Sequence, residues 1–248
     1  MSLNYHAPPK HWALRPGEVT LCSVPLAASP ACITYFERSL VPRERDQALS
    51  FRTTALREAY VIARGTLRVI LGRCVNLPAE DVPLVYGAYG KPLLTDKLPL
   101  DFNLSHSGGR ALYSLSLDRE TGVDLEKIST LPDCEKIAQH FFSADETRDL
   151  LSLPPDQRNE AFFACWTRKE AYIKACGEGL SMALDGFRVS LLPSEPPRLE
   201  TPSDPRLWSL HDVSPAPGYA AALVTAGTAP RLHAWLFDDA EECAGYFR

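Results

Sequence analysis

From Arg43 to Arg73 the chain carries no proline, although the whole sequence holds 21, and its only glycines in that stretch are Gly65 and Gly72. Proline inside a helix removes a hydrogen bond and clashes with the preceding turn. A proline-free stretch of this length therefore reads as one long helix or two in succession, with Pro42 where a helix can start. The stretch holds seven arginines against Glu44, Asp46 and Glu58, in a chain whose formal net charge is −5. Arg57, Arg64 and Arg68 share one helical face. Ala59, Ile62, Thr66 and Val69 fall opposite and suit a core. The arginine stripe serves either as a solvated face or as a surface for phosphate, whose oxygens match the planar guanidinium fork.

The rest of the chain falls into two runs of helices followed by strands. Residues 1–18 read as an irregular arm, then Val19 to Pro25 as a short strand. Leu84 to Tyr86 is a strand before the turn at Gly90-Lys91-Pro92. Phe102 to Ser107 runs into Gly108-Gly109. Ala111 to Leu117 alternates as a half-buried strand should, and Gly122 to Lys127 follows. In the second run Glu135 to Leu151 reads as helical, and Gln157 to Cys176 as a strong helix stopped by Gly177. Phe187 to Leu192 reads as a strand, and Leu207–Val213 with Tyr219–Thr225 as a hairpin pair. The expected fold is α+β, built as two similar halves, residues 1–119 and 120–248.

Composition narrows the functional classes. With 45% apolar and 23% charged residues the chain is that of an ordinary globular protein. No apolar stretch of roughly 18 residues is present, so no membrane span is expected, and the first residues lack the layout of a secretory signal. The seven cysteines are odd in number and form no CxxC pair, which points away from a disulfide framework and a zinc site and toward a reducing cytoplasm. The acidic balance argues against a general nucleic-acid binder.

Four local patterns carry chemistry. In Gly122-Val123-Asp124-Leu125-Glu126, a strand projects both carboxylates to one face, a hard-oxygen pair suited to magnesium; an exposed strand face offers the same pattern without a metal. In Trp166-Thr167-Arg168-Lys169-Glu170-Ala171-Tyr172-Ile173-Lys174, a helix aligns Trp166, Glu170 and Lys174 in one stripe; a surface ion pair is the plainer reading. Lys169 beside them faces either solvent or a phosphate. Asn103-Leu104-Ser105-His106-Ser107-Gly108-Gly109 offers hydroxyls, an imidazole and backbone N–H groups to an anion. Gly90-Lys91-Pro92 is by itself a turn.

In this order and spacing, GKP, NLSHSGG, GVDLE and WTRKEAYIK resemble the Sfp-type phosphopantetheinyl transferases, over roughly Pro42 to Gly179. The resemblance implies a pseudo-twofold monomer with coenzyme A in the cleft between its halves. It implies transfer of phosphopantetheine from coenzyme A to a serine of an apo acyl, peptidyl or polyketide carrier protein. By this likeness Asp124, Glu126 and Glu170 hold magnesium, and Glu170 is also a candidate base for the serine. Lys174 and His106 offset phosphate charge. Ser105, Lys91 and Lys169, with one or more of Arg52, Arg57 and Arg64, bind the coenzyme. Two rivals use the same residues: a metal-dependent phosphodiesterase or nuclease, and a nucleotide-binding module without turnover.

Overall fold

The computed structural model describes residues 3–95, 99–202 and 204–247. β1 (Glu18–Pro25) leads into α1 (Pro30–Ser39), α2 (Pro42–Leu49) and the long α3 (Thr54–Val75). A small hairpin, β2 (Leu84–Tyr86) with β3 (Pro92–Leu94), precedes β4 (Asp101–Ser107) and β5 (Arg110–Ser116). The order then recurs with β6 (Thr121–Lys127), α4 (Cys134–Phe141), α5 (Ala144–Ser152) and the long α6 (Pro155–Cys176). A short pair, β7 (Arg188–Val189) and β8 (Leu199–Glu200), precedes β9 (Trp208–Asp212) and β10 (Tyr219–Ala226). β11 (Arg231–Leu236) and α7 (Ala240–Phe247) follow.

The pairing repeats as well. β5 lies between β1 and β4, and β10 lies between β6 and β9, every pair antiparallel. Each three-strand unit packs a 22-residue helix on its outer face. α3 shares a core with Tyr113 and Leu115, and α6 shares one with Ala222 and Val224. The inner faces meet through Val19, Leu21 and Leu112 against Val123, Leu125 and Leu223. The result is the α+β fold that the helix-then-strand runs imply. The chain past residue 230 crosses the division drawn at residue 120: β11 pairs in parallel with β1, and Phe237, Cys243 and Phe247 join the α3 core.

Several local readings change for nonlocal reasons. β5 is buried on both faces, not one, because a helix covers one side and the second sheet the other. The stretch from Glu135 to Leu151 is two helices. Ser143 caps the second, its hydroxyl accepting from the Glu146 N–H while Glu146 accepts from the Ser143 N–H. The strand expected over Phe187–Leu192 shrinks to Arg188–Val189. The N-terminal arm is not wholly irregular, since His6 bridges to β11 beside Trp235.

Two buried ion pairs occupy the same place in each half. Arg68 is 2% exposed, not on a solvated stripe. Its Nε donates to Glu44, and its Nη1 donates to the carbonyls of Ala79 and Val82 at 3.0 and 3.2 Å. Lys169, at the same position in α6, is fully buried. Its Nζ pairs with Glu146 at 2.8 Å and donates to the carbonyls of Leu184 and Phe187 at 2.7 and 2.8 Å. Both glutamates also cap their own short helices, accepting from the N–H of Val41 and of Ser143. Each pair thus ties a short helix, a long helix and the following loop into one unit.

The two sheets are joined along β4 and β6 by side chains. Asp101 Oδ1 accepts from the Thr121 N–H at 2.8 Å, and Asn103 Oδ1 from the Val123 N–H at 3.1 Å. Ser105 Oγ donates to Asp124 Oδ1 at 2.8 Å, and Ser107 Oγ accepts from the Lys127 N–H at 3.1 Å. Asp101, Asn103 and Ser107 therefore supply acceptors to backbone N–H groups of β6 that a ladder would otherwise give, while Ser105 holds a β6 side chain.

Two outcomes follow. Lys169→Met leaves the Glu146 charge buried and unpaired, and urea unfolding should show a loss of about 3–5 kcal/mol. Adding Glu146→Gln should recover part of it, while an unchanged midpoint in the single variant would remove the pair from the stabilising framework. The second outcome concerns pH. Burial raises the Asp101 carboxyl to about 6 from its ordinary 3.8, against the pull of Lys91. The folded chain then binds more protons than the unfolded chain in that window, so this group's contribution falls as pH rises from 3.8 to about 6. Asp101→Asn keeps the oxygen acceptor and removes the charge. It should raise the melting temperature at pH 7 and leave it unchanged below the carboxyl's unfolded value.

Candidate active-site cleft

β6 lies unusually close to α6. A Cβ added at Gly122 would stand 2.2 Å from both the carbonyl oxygen of Ala171 and the nitrogen of Ala175, so only glycine fits there. Val123 and Leu125 point into the core between the sheets, which turns Asp124 and Glu126 to the opposite face. The close approach brings Lys174 onto Asp124, with Nζ 2.6 Å from Oδ1 and 3.0 Å from Ser105 Oγ. Asp124 is 3% exposed, more enclosed than a residue at an open cleft edge. Its Oδ2 is buried with no hydrogen-bond partner among the described residues. Glu126 accepts from Ser107 Oγ at 2.7 Å. Burial raises the Glu126 carboxyl above the usual range, and Asp124 adds to that against the Ser107 bond. Burial and then Asp124 raise Glu170 in the same way, with Lys174 opposing.

A cavity of about 290 Å³ opens beside these groups, lined by Tyr89, Lys91 and Asn103 from one half and by Glu170, Ile173 and Lys174 from the other. Lys91 donates to the Thr121 carbonyl at 3.2 Å. His106 is exposed, on the face of β4 opposite the joining side chains. Partial burial, followed by the charge of Lys174, lowers its imidazole pKa. Gly108 and Gly109, with φ of 56° and 82°, form the tight turn between β4 and β5.

The other expected ligand groups divide. Arg64 donates to the Tyr86 hydroxyl at 2.9 Å, and its Nη1 is buried with no partner among the described residues. Arg57 pairs with Glu37 at 3.0 Å, and Arg52 is exposed. Ser105 serves Asp124 and Lys174 in place of the phosphate role expected of it. Lys169 does not reach the cleft: the buried pair with Glu146 and two loop carbonyls consume its donors. Sequence reasoning gave no role to Tyr86, whose ring Arg43 covers at 4.3 Å, or to Asp101 and Asn103. The polar alternation Asp101, Asn103, Ser105, Ser107 was the available signal for the latter two.

Among the described residues, no three His, Cys, Asp or Glu side chains stand ready as a metal cage. The donor chemistry nevertheless fits a hard divalent cation. Asp124 keeps a buried oxygen without a partner among the described residues, and two further carboxyls nearby are raised by burial and then by Asp124. A cation satisfies both conditions.

Residues 120–224 match the model of the 4'-phosphopantetheinyl transferase superfamily. The chain is 35% identical to the 4'-phosphopantetheinyl transferase HetI of Nostoc, over 88% of this chain and 92% of that protein. It is 30% identical to the 4'-phosphopantetheinyl transferase Sfp of Bacillus subtilis, over 77% of this chain and 90% of that one. A solved holo-(acyl-carrier-protein) synthase from Bacillus anthracis superposes on 43% of this chain and 94% of its own, with 22% identity and a TM-score of 0.36. With 35% identity spanning 92% of HetI and 88% of this chain, the chain belongs to the 4'-phosphopantetheinyl transferase superfamily.

Proposed function

We propose that this protein transfers the phosphopantetheine arm of coenzyme A to a serine of an apo carrier protein, with magnesium as cofactor. The observation that carries the reading is the cleft itself. It draws Lys91 and Asn103 from one half and Glu170 and Lys174 from the other, beside an acid cluster that retains an unpartnered oxygen. The serine hydroxyl attacks the pantetheine-side phosphorus, and adenosine 3',5'-bisphosphate departs. Phosphoryl transfer of this kind depends chiefly on positioning and charge neutralisation. Asp124, Glu126 and Glu170 would hold magnesium, which supplies neutralising charge to the pyrophosphate. Lys174 is fixed by Asp124 and Ser105, so its ammonium group is already ordered next to that position. Lys91, His106 and Arg64 bind the coenzyme's phosphates. Glu170 would take the serine proton where metal does not claim it, a role that its raised carboxyl supports.

Acyl, peptidyl and polyketide carriers are the substrate class. We place the enzyme in the cytoplasm, as a monomer. The seven cysteines are odd in number and scattered without a CxxC pair, which supports a reducing compartment, and no described helix is long and apolar enough to cross a membrane. A panel of apo-carriers incubated with coenzyme A and magnesium tests the reading. Mass spectrometry should find the phosphopantetheine adduct on at least one. Release of adenosine 3',5'-bisphosphate without a carrier would support the hydrolase reading instead.

Two substitutions separate the roles. Asp124→Ala would strand Lys174, so Asp124→Asn is the cleaner change. It should lower transfer by at least roughly 10²-fold, the scale of several kcal/mol of lost charge stabilisation, while circular dichroism shows a folded chain. Near-normal turnover would take Asp124 out of the site. Glu170→Gln should still bind coenzyme A by calorimetry and stay slow at saturating magnesium. Full recovery with added magnesium would leave Glu170 as a ligand and not a base.

A further inference from the structure

The repeat assigns the catalytic cleft a counterpart. Along α3 and α6, which have equal length, Gly65, Val69 and Arg73 stand where Trp166, Glu170 and Lys174 stand. The left-handed C-cap Asn76 stands where Gly177 does. In the matched strand pairs, Cys22 and Val24 of β1 take the places of Asp124 and Glu126 of β6. The counterpart region contains a cavity of about 420 Å³ lined by Val69, Gly72, Arg73 and Asn76, as the cleft is lined by Glu170, Ile173, Lys174 and Gly177. α7 closes it through Phe247 where the Lys91 turn closes the cleft. All three acidic positions have become apolar and buried, whereas the cationic position is retained as Arg73.

A second, smaller cavity of about 100 Å³ adjoins it and shares Arg73 and Phe247. Lys10, His11 and Trp12 of the N-terminal arm and Tyr246 of α7 complete its walls. The Trp12 indole N–H is buried with no hydrogen-bond partner among the described residues. No described carboxylate lines either cavity. Cations and an unsatisfied donor around a space the size of one phosphate group select an anion, and the absence of acidic neighbours selects one that needs no metal. We propose that this counterpart cleft is a second, non-catalytic site for a phosphate-bearing anion. The phosphate sits among Lys10, His11, Arg73 and the Trp12 N–H, and any ester group extends toward Val69 and Asn76.

The proposal goes beyond the transferase reading and stands apart from it, because its readout is local. Inorganic phosphate and glycerol 3-phosphate are titrated separately into the full chain at constant ionic strength, and the indole N–H resonances are followed by NMR. The chain has four tryptophans, and Trp12→Phe identifies the relevant signal. The Trp12 resonance should shift saturably with at least one probe, while the other three serve as controls for folding. Tighter binding of the ester would mean that the larger cavity takes part, and equal binding would confine the site to the phosphate group. Lys10→Gln/Arg73→Gln should weaken the apparent affinity by roughly tenfold or more, the scale of lost charge-assisted hydrogen bonds, with carrier modification unchanged. No saturable shift with either probe, or a shift that survives the double substitution, overturns the site.

Discussion

Asp101, Asn103, Ser105 and Ser107 reach from β4 to β6, and the placement of the acidic residues depends on that contact. A strand beside another sheet's edge has backbone donors that must find acceptors, since an unpaired buried N–H is costly. Here Asp101, Asn103 and Ser107 accept from the N–H groups of Thr121, Val123 and Lys127. The fixed register leaves Asp124 and Glu126 facing α6, and it places a serine on each of them. A one-residue slip would turn Val123 and Leu125 toward α6 and drive both carboxylates into the apolar layer between the sheets.

The same register depends on Gly122. Its lack of a side chain lets α6 approach the strand at backbone distance, and this sets Lys174 on Asp124. The rotation of α6 about its own axis is held from the other side by Lys169, which is anchored on Glu146 and two loop carbonyls. Glu170 follows Lys169 in sequence, so a helix that buries one presents the other about 100° away, toward the cleft. The buried pair thereby contributes to function without touching the ligand.

The twin Glu–cation pairs also mark where the two halves agree and where the acid cluster sets them apart. Arg68 and Lys169 do the same structural work in the two halves. The residues one and five positions further along each helix differ: Val69 and Arg73 in one half, Glu170 and Lys174 in the other. Cys22, Val24 and Val69, at the counterpart positions, are buried in the core that β11 and α7 complete, and the N-terminal arm bridges to β11. The chain past residue 230 folds back across the expected boundary for this reason: β1 has an open edge, and β11 fills it.

Periodicity and turn chemistry are local, and they alone carried the long helices, the β9–β10 hairpin, the facing of Asp124 with Glu126 and the stripe of Glu170 with Lys174. The order of four short motifs carried the family. Which charged groups meet a ligand was beyond their reach. Arg68 and Lys169 look in sequence like the other cations around them, yet both are buried because a helix-capping glutamate from a preceding helix lies opposite. Ser105 and Ser107 look like anion ligands, yet they hold carboxylates because β6 lies alongside β4. The 3.6- and two-residue periods fix which side chains share a face. What that face touches is set by segments distant in sequence, through packing that no local window contains.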